Sequence, residues 1–184
     1  MLSKITVGRA RVGYITYSGA IILFALFTAL SARITIPLPF TPVPITLQVF
    51  AVLLAALVLG ARGGALSQLL YLAAIATGLP VDAYARGAAA LSGPTAGYLV
   101  GFVLGAFVTG WVATRMPSLW IGRFLAAFAG LWTIYGCGVL WLAVVTGGLE
   151  TAVMWGLVPF IGVDLLKATA AAAVAEGGRW LFRV

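Results

Sequence analysis

Histidine is absent from the 184 residues, cysteine occurs once, and four Asp and Glu stand against eleven Lys and Arg. Each scarcity removes a class of chemistry. Without imidazole there is no Ser-His or Cys-His catalytic pair and no His-ligated metal site. Cys137, alone in an apolar run, gives no disulfide framework and reads as a small packed residue. No G-x-x-x-x-G-K-S/T string occurs, which excludes ATP hydrolysis by a phosphate-cradling loop. With few carboxylates and no Asp-rich motif, an intramembrane enzyme has little to work with. The expectation is a protein that is not an enzyme and holds no metal or cofactor.

Hydrophobic residues, by contrast, make up 63% of the chain and charged residues only 8%, with a mean hydropathy of +1.14. So few charges cannot cover the outside of a soluble fold, and most of the exterior must face lipid. The length suits one helical bundle and no second domain. The formal net charge of +7 does not imply nucleic acid, because the cations are scattered singly at the ends of apolar runs rather than clustered on one solvated element. Membrane sorting and contact with anionic lipid account for them. The basic start, "MLSKITVGRARVG", reads as a cytoplasmic anchor, since the apolar stretch after it is too long for a signal peptide and is followed by several more.

Charge-free intervals delimit the spans. Val12 to Ala32, Ile34 to Ala61, Gly63 to Val81, Gly87 to Thr114 and Phe124 to Leu149 contain no Asp, Glu, Lys or Arg, and each accommodates the ~17 to 25 residues of a membrane helix. A sixth runs from Pro159 to about Gly178. The expected fold is therefore an all-α integral membrane protein, one domain over residues 1–184, with a basic N-terminus (1–13) and six transmembrane helices near 14–32, 45–60, 63–78, 94–114, 121–146 and 159–178. Alternating sides from a cytoplasmic N-terminus put Lys4, Arg9, Arg11, Arg62, Arg115, Arg123, Arg179 and Arg183 inside and only Arg33 and Arg86 outside. That satisfies the positive-inside rule and leaves both termini cytoplasmic.

Outside, "ITIPLPFTPVPITLQ" (34–48) has four prolines that forbid a helix until about Ile45. "GLPVDAYARGAAALSGPTAGY" (78–98) forms a second loop carrying Asp82 and Arg86, and "GLETAVMWGLV" (148–158) a short interfacial helix.

The last span alone carries charge: Asp164 and Lys167, three apart and so on one helical face, in the outer half of the membrane. A charge at such depth costs on the order of 2 to 3 kcal/mol. Two together suggest a polar cavity for a small ligand that needs both an acceptor and a donor. The alternative is an internal ion pair that locks helix packing. Arg86 adds a fork suited to a carboxylate, or else snorkels to lipid phosphate, and Asp82 is placed to pair with it. Phe40, Tyr71, Tyr84, Tyr98 and Trp155 fall in or near the same half, as belt, core or pocket-wall residues. Gln48 and Thr46 offer neutral hydrogen bonds, with Thr46 equally suited to starting a helix. Ala25 and Ala29 give a small-residue face for close docking of another helix, within the bundle or in a partner.

The strings "PFTPVPITLQVFAVLLAALVLG" (39–60), "GLPV" (78–81), "GPTAGYLVGF" (93–102) and "PFIGVDLLK" (159–167) resemble the BioY family, the biotin-binding S-components of energy-coupling factor (ECF) transporters. The resemblance runs from about residue 14 to the C-terminus. It implies a six-helix substrate-capture subunit in the cytoplasmic membrane of a bacterium or archaeon. Such a subunit binds biotin from outside and works with a transmembrane coupling protein and two ATPase subunits. By the same resemblance Asp164, Lys167 and Arg86 are ligand contacts, and Ala25 and Ala29 meet the coupling subunit; Gln48, Tyr98 and Tyr84 complete the candidate biotin site. Biotin's ureido N–H groups suit Asp164 and its carboxylate suits Arg86 or Lys167, both assignments being open. The chain departs from the family pattern at Asp82, where an aromatic residue is common. It departs again at Ala96-Gly97-Tyr98 in place of "GGY", and at Gly162-Val163 in place of a Pro-Gly that marks the helix start. Two other readings remain, an ion-coupled vitamin carrier in which Asp164 takes up a proton and a structural membrane subunit without ligand.

Overall fold

A computed structural model describes the backbone of residues 2–117 and 119–181, and side chains within 16–117 and 119–178. Among the described residues the regular structure is helical apart from a two-stranded ribbon. Helix α1 spans Leu2–Ser31; β1 (Thr35–Ile36) pairs antiparallel with β2 (Ile45–Thr46), Thr35 opposite Thr46; and α2 spans Gln48–Ala76. A 3₁₀ turn, Gly87–Leu91, precedes α3 (Ala96–Ala113), α4 (Trp120–Thr146), α5 (Leu149–Gly156) and α6 (Ile161–Leu181). Among the described residues α2, α3 and α4 are long and apolar enough to cross a membrane, and α5 with α6, bent by 54°, forms a fourth candidate. The protein is thus a multi-pass membrane protein.

Helix α2 is not one straight rod. Gly60 has φ 76°, a left-handed conformation that breaks the helical ladder. The limbs on either side, 48–59 and 61–76, fold back on one another: Gln48 Nε2 donates to Tyr71 Oη at 2.8 Å across 23 residues, which a straight helix would separate by about 35 Å. Only glycine lets the limbs meet beyond the turn, because a Cβ on Gly64 would lie 2.7 Å from the Ala56 Cα.

Helix α1 begins well before residue 14. Charge ends the hydrocarbon-compatible interval, but Lys and Arg are good helix formers, so the helix continues past the span that lipid permits. At the other end, α6 starts at Ile161, two residues after the expected Pro159, with Gly162 inside its first turn.

Lipid and interior have exchanged their usual residues. Leu26, Leu30, Leu140, Val144 and Leu166 are exposed, whereas Thr28, Gln48, Ser67, Gln68, Thr109 and Asp164 are buried. In hydrocarbon the polar groups must find partners inside the bundle. Gln68 Nε2 does so, donating to Thr28 Oγ1 (3.2 Å) and Ser67 Oγ (3.0 Å), and so ties the second limb of α2 to α1. Ala25 is buried in this same core and Ala29 is half-buried against it, so Ala25 packs within its own bundle.

Candidate functional site

Bundle packing leaves a cavity of about 60 Å³ among α2, α3, α4, α6 and the two loops that join helices on that side. Its walls are apolar: Val49, Leu99, Phe102, Ile134 and Phe160. Its charged groups gather in two places. On α6, Asp164 sits in the first turn, where the helix N-terminus favours a carboxylate, and is 4% exposed. Lys167 Nζ donates to its Oδ1 at 2.6 Å, and the Tyr135 hydroxyl of α4 donates to Oδ2 at 2.8 Å.

The second group comes from the loop between α2 and α3. Asp82, also buried, accepts from the backbone N–H of Gly87 through Oδ1 (2.9 Å) and of Tyr84 through Oδ2 (3.2 Å). These bonds wrap the loop around the carboxylate, with Ala85 and Gly87 both at positive φ. Arg86 Nε lies 3.6 Å from Asp82 Oδ2, and its Nη2 donates to Thr95 Oγ1 at 3.1 Å. Asp82 therefore both organises the loop and pairs with Arg86.

Of the six residues that the sequence nominates, Asp164, Lys167, Gln48 and Tyr98 line the cavity. Gln48 gives its amide N–H to Tyr71, whose hydroxyl in turn donates to the Val81 carbonyl at 3.2 Å, so this chain links the first limb of α2 to the loop. The Tyr98 hydroxyl donates to the Gly156 carbonyl at 2.7 Å, and its ring fills the space left by Gly138, where a Cβ would overlap it. Tyr98 is thus a wall whose polar tip is already engaged. Arg86 and Tyr84 stand at the rim, the guanidinium 5.2 Å from the Tyr84 ring centroid, and do not line the cavity. They are set back because Asp82 turns the loop under them.

Thr46 lines the cavity, and its hydroxyl accepts from the Gln48 N–H at 3.3 Å, the bond of a residue that leads into a helix. Sequence reasoning missed Tyr135, Thr95 and Phe102. A signal existed for Tyr135: it is the only tyrosine in the interval 124–149, and a phenol in hydrocarbon needs a partner. The described residues include no cluster of three or more His, Cys, Asp or Glu able to hold a metal. What the cavity offers is an apolar slot with an acceptor-donor pair on one side and, on the other, the Asp82 carboxylate with the Thr46 and Thr95 hydroxyls, Arg86 standing at the rim beyond them.

Comparison with known proteins gives a consistent result. A family model described as the BioY family matches residues 10–183. "Biotin transporter BioY" of Thermotoga maritima is 46% identical over 155 residues, covering 82% of this chain and 89% of that protein. "Biotin transporter BioY" of Rhizobium etli is 41% identical over 169 residues, covering 85% and 90%. The crystal structure of "the S-component for biotin from an ECF-type ABC transporter" superposes with a TM-score of 0.82 at 25% identity, covering 91% of this chain and 92% of that one.

Proposed function

The chain belongs to the BioY family, and we propose from that premise that it captures biotin in the cavity beside Asp164 as the S-component of an ECF-type transporter. The observation that carries the reading is the pairing of a buried carboxylate and ammonium, Asp164 with Lys167, at one end of an apolar slot that ends near a second cation, Arg86. The thiophane ring and valeryl chain fit the apolar walls, one ureido N–H fits a lone pair that Asp164 keeps free, and the ureido carbonyl fits the Lys167 ammonium.

Which cation meets the carboxylate follows from how firmly each is held. Lys167 is 2.6 Å from Asp164, whereas Arg86 is 3.6 Å from Asp82, whose oxygens are already bonded to backbone N–H groups. Arg86 is the cation that can leave its partner without stranding it. We assign the biotin carboxylate to Arg86 and the ureido ring to Asp164 and Lys167.

In this reading the chain is a single domain with six crossings: α1, the two limbs of α2, α3, α4, and the bent pair α5–α6. Both termini are cytoplasmic, as the distribution of Arg62, Arg115 and Arg123 against Arg33 and Arg86 supports. The protein lies in the cytoplasmic membrane, has no enzymatic activity of its own, and relies on a coupling protein and two ATPase subunits. Docking to the coupling protein falls to the face of α1 that carries Ala29, since Ala25 is covered.

Titration calorimetry with biotin and with its neutral primary amide tests the assignment. Wild-type protein should bind biotin at least tenfold more tightly than the amide, and Arg86→Gln should remove the preference while retaining the amide's affinity. Absence of biotin binding would defeat the function, and an undiminished preference in Arg86→Gln would defeat the assignment of the ends.

A further inference from the structure

Asp164 is held from two helices, and only one of its two holders belongs to the charged pair that the function absorbs. Lys167, on the same helix, reaches Oδ1; Tyr135, 29 residues earlier on α4, donates to Oδ2 at 2.8 Å and is 3% exposed. The Tyr135 ring is itself fixed, meeting Trp132 edge-on at 6.0 Å and 75°. Trp132 ends a continuous aromatic file along α4 formed with Trp120, Phe124 and Phe128. A carboxylate oxygen offers two lone-pair directions. With Lys167 on one oxygen and Tyr135 on the other, one direction on each remains, and both belong to a group that lines the cavity.

We infer that Tyr135 is a positioning residue for ligand recognition: it fixes the plane of the Asp164 carboxylate so that a free lone pair is aimed at a single N–H donor of the ligand. The inference rests on the biotin reading and deepens it. Lys167 alone would leave the carboxylate free to turn about its bond to Oδ1. The tyrosine hydroxyl sets the second point that defines the plane, and it does so from a different helix.

The test is a ratio. Binding of biotin and of whichever derivative methylated at one ureido nitrogen binds wild type more weakly is measured for wild type, Tyr135→Phe, Asp164→Asn and the double variant, with the melting temperature of each unliganded protein as a check on folding. A hydrogen bond to a charged group corresponds to roughly a tenfold to hundredfold change in affinity. Tyr135→Phe should lose that factor for biotin and much less for the methylated ligand, which lacks the N–H that Asp164 accepts, so discrimination collapses. In the Asp164→Asn background the tyrosine change should have little further effect. Equal losses for both ligands, or a full additional loss in the double variant, would overturn the role of Tyr135. Wild-type protein that binds no biotin would instead overturn the underlying reading at the first titration.

Discussion

Asp164→Asn, Lys167→Met and the two together separate a ligand site from a packing device. At 2.6 Å two unit charges attract by roughly 6 kcal/mol at an effective dielectric constant of about 20, and removing both from water costs several kcal/mol each. The pair is then close to neutral for stability. Losing one partner is not: either single change strands a charge in a site where Asp164 is 4% exposed and the Lys167 side chain 11%, at a cost of about 3 to 5 kcal/mol. The double variant strands nothing and should recover to within about 1 kcal/mol of wild type. Biotin at a hundred times its Kd should stabilise the wild type by about 2.7 kcal/mol, and the double variant not at all. Unfolding in detergent, monitored with and without biotin, reads both quantities. Biotin that stabilised the recovered double variant as much as wild type would show that the ion pair serves packing alone. Single variants as stable as wild type would show that the charges are solvated.

Three further outcomes follow from the packing. Gly138→Ala puts a Cβ into the Tyr98 ring and should cost about 1 to 3 kcal/mol by overpacking, with a matching loss of biotin affinity in the same titrations; a silent substitution would mean that Tyr98 can move aside. Gln68→Leu removes the bonds to Thr28 and Ser67 and should lower stability by about 0.6 to 2 kcal/mol, the range for interhelical bonds in membranes, with biotin affinity unchanged. Thr41→Val abolishes the hydroxyl that donates to the Trp155 carbonyl at 2.8 Å and accepts from the Val43 N–H; stopped-flow measurement should show biotin dissociating severalfold faster, and an unchanged rate would show that this contact does not retain the ligand.

Much of this architecture is legible in sequence because lipid makes charge expensive. The gaps between charge-free intervals place the reversal near Arg62, and the structure turns at Gly60, two residues away. The same signal is blind to the start of α1, because it reports what hydrocarbon tolerates and not where helical hydrogen bonding stops. At the site, Asp164 and Lys167 stand out by the cost of their depth. Tyr135 does not, since a tyrosine in an apolar run looks like core until the adjacency of α4 and α6 is known. Arg86 and Tyr84 belong to the right loop, but their setback depends on backbone N–H groups closing around Asp82, a three-dimensional fact with no periodicity to announce it.

How firmly the loops close over the cavity can be judged from the bonds that hold them. Arg33 donates to the Pro80 carbonyl and Thr41 to that of Trp155, so the proline-rich ribbon is fastened to the second loop on one side and to α5 on the other. Each such bond contributes a net 0.5 to 1.5 kcal/mol, more where the donor is charged. Together they favour the closed arrangement by roughly 2 to 4 kcal/mol, which corresponds to an open population of about 0.1 to 3%. Val43 and Pro44 of the first loop and Asp82 and Ala83 of the second line the cavity, so how firmly these loops are fastened bears on the passage of a ligand. A closure worth a few kcal/mol is strong enough to slow the loss of a bound ligand past the loops, and weak enough that opening needs no energy source beyond thermal motion.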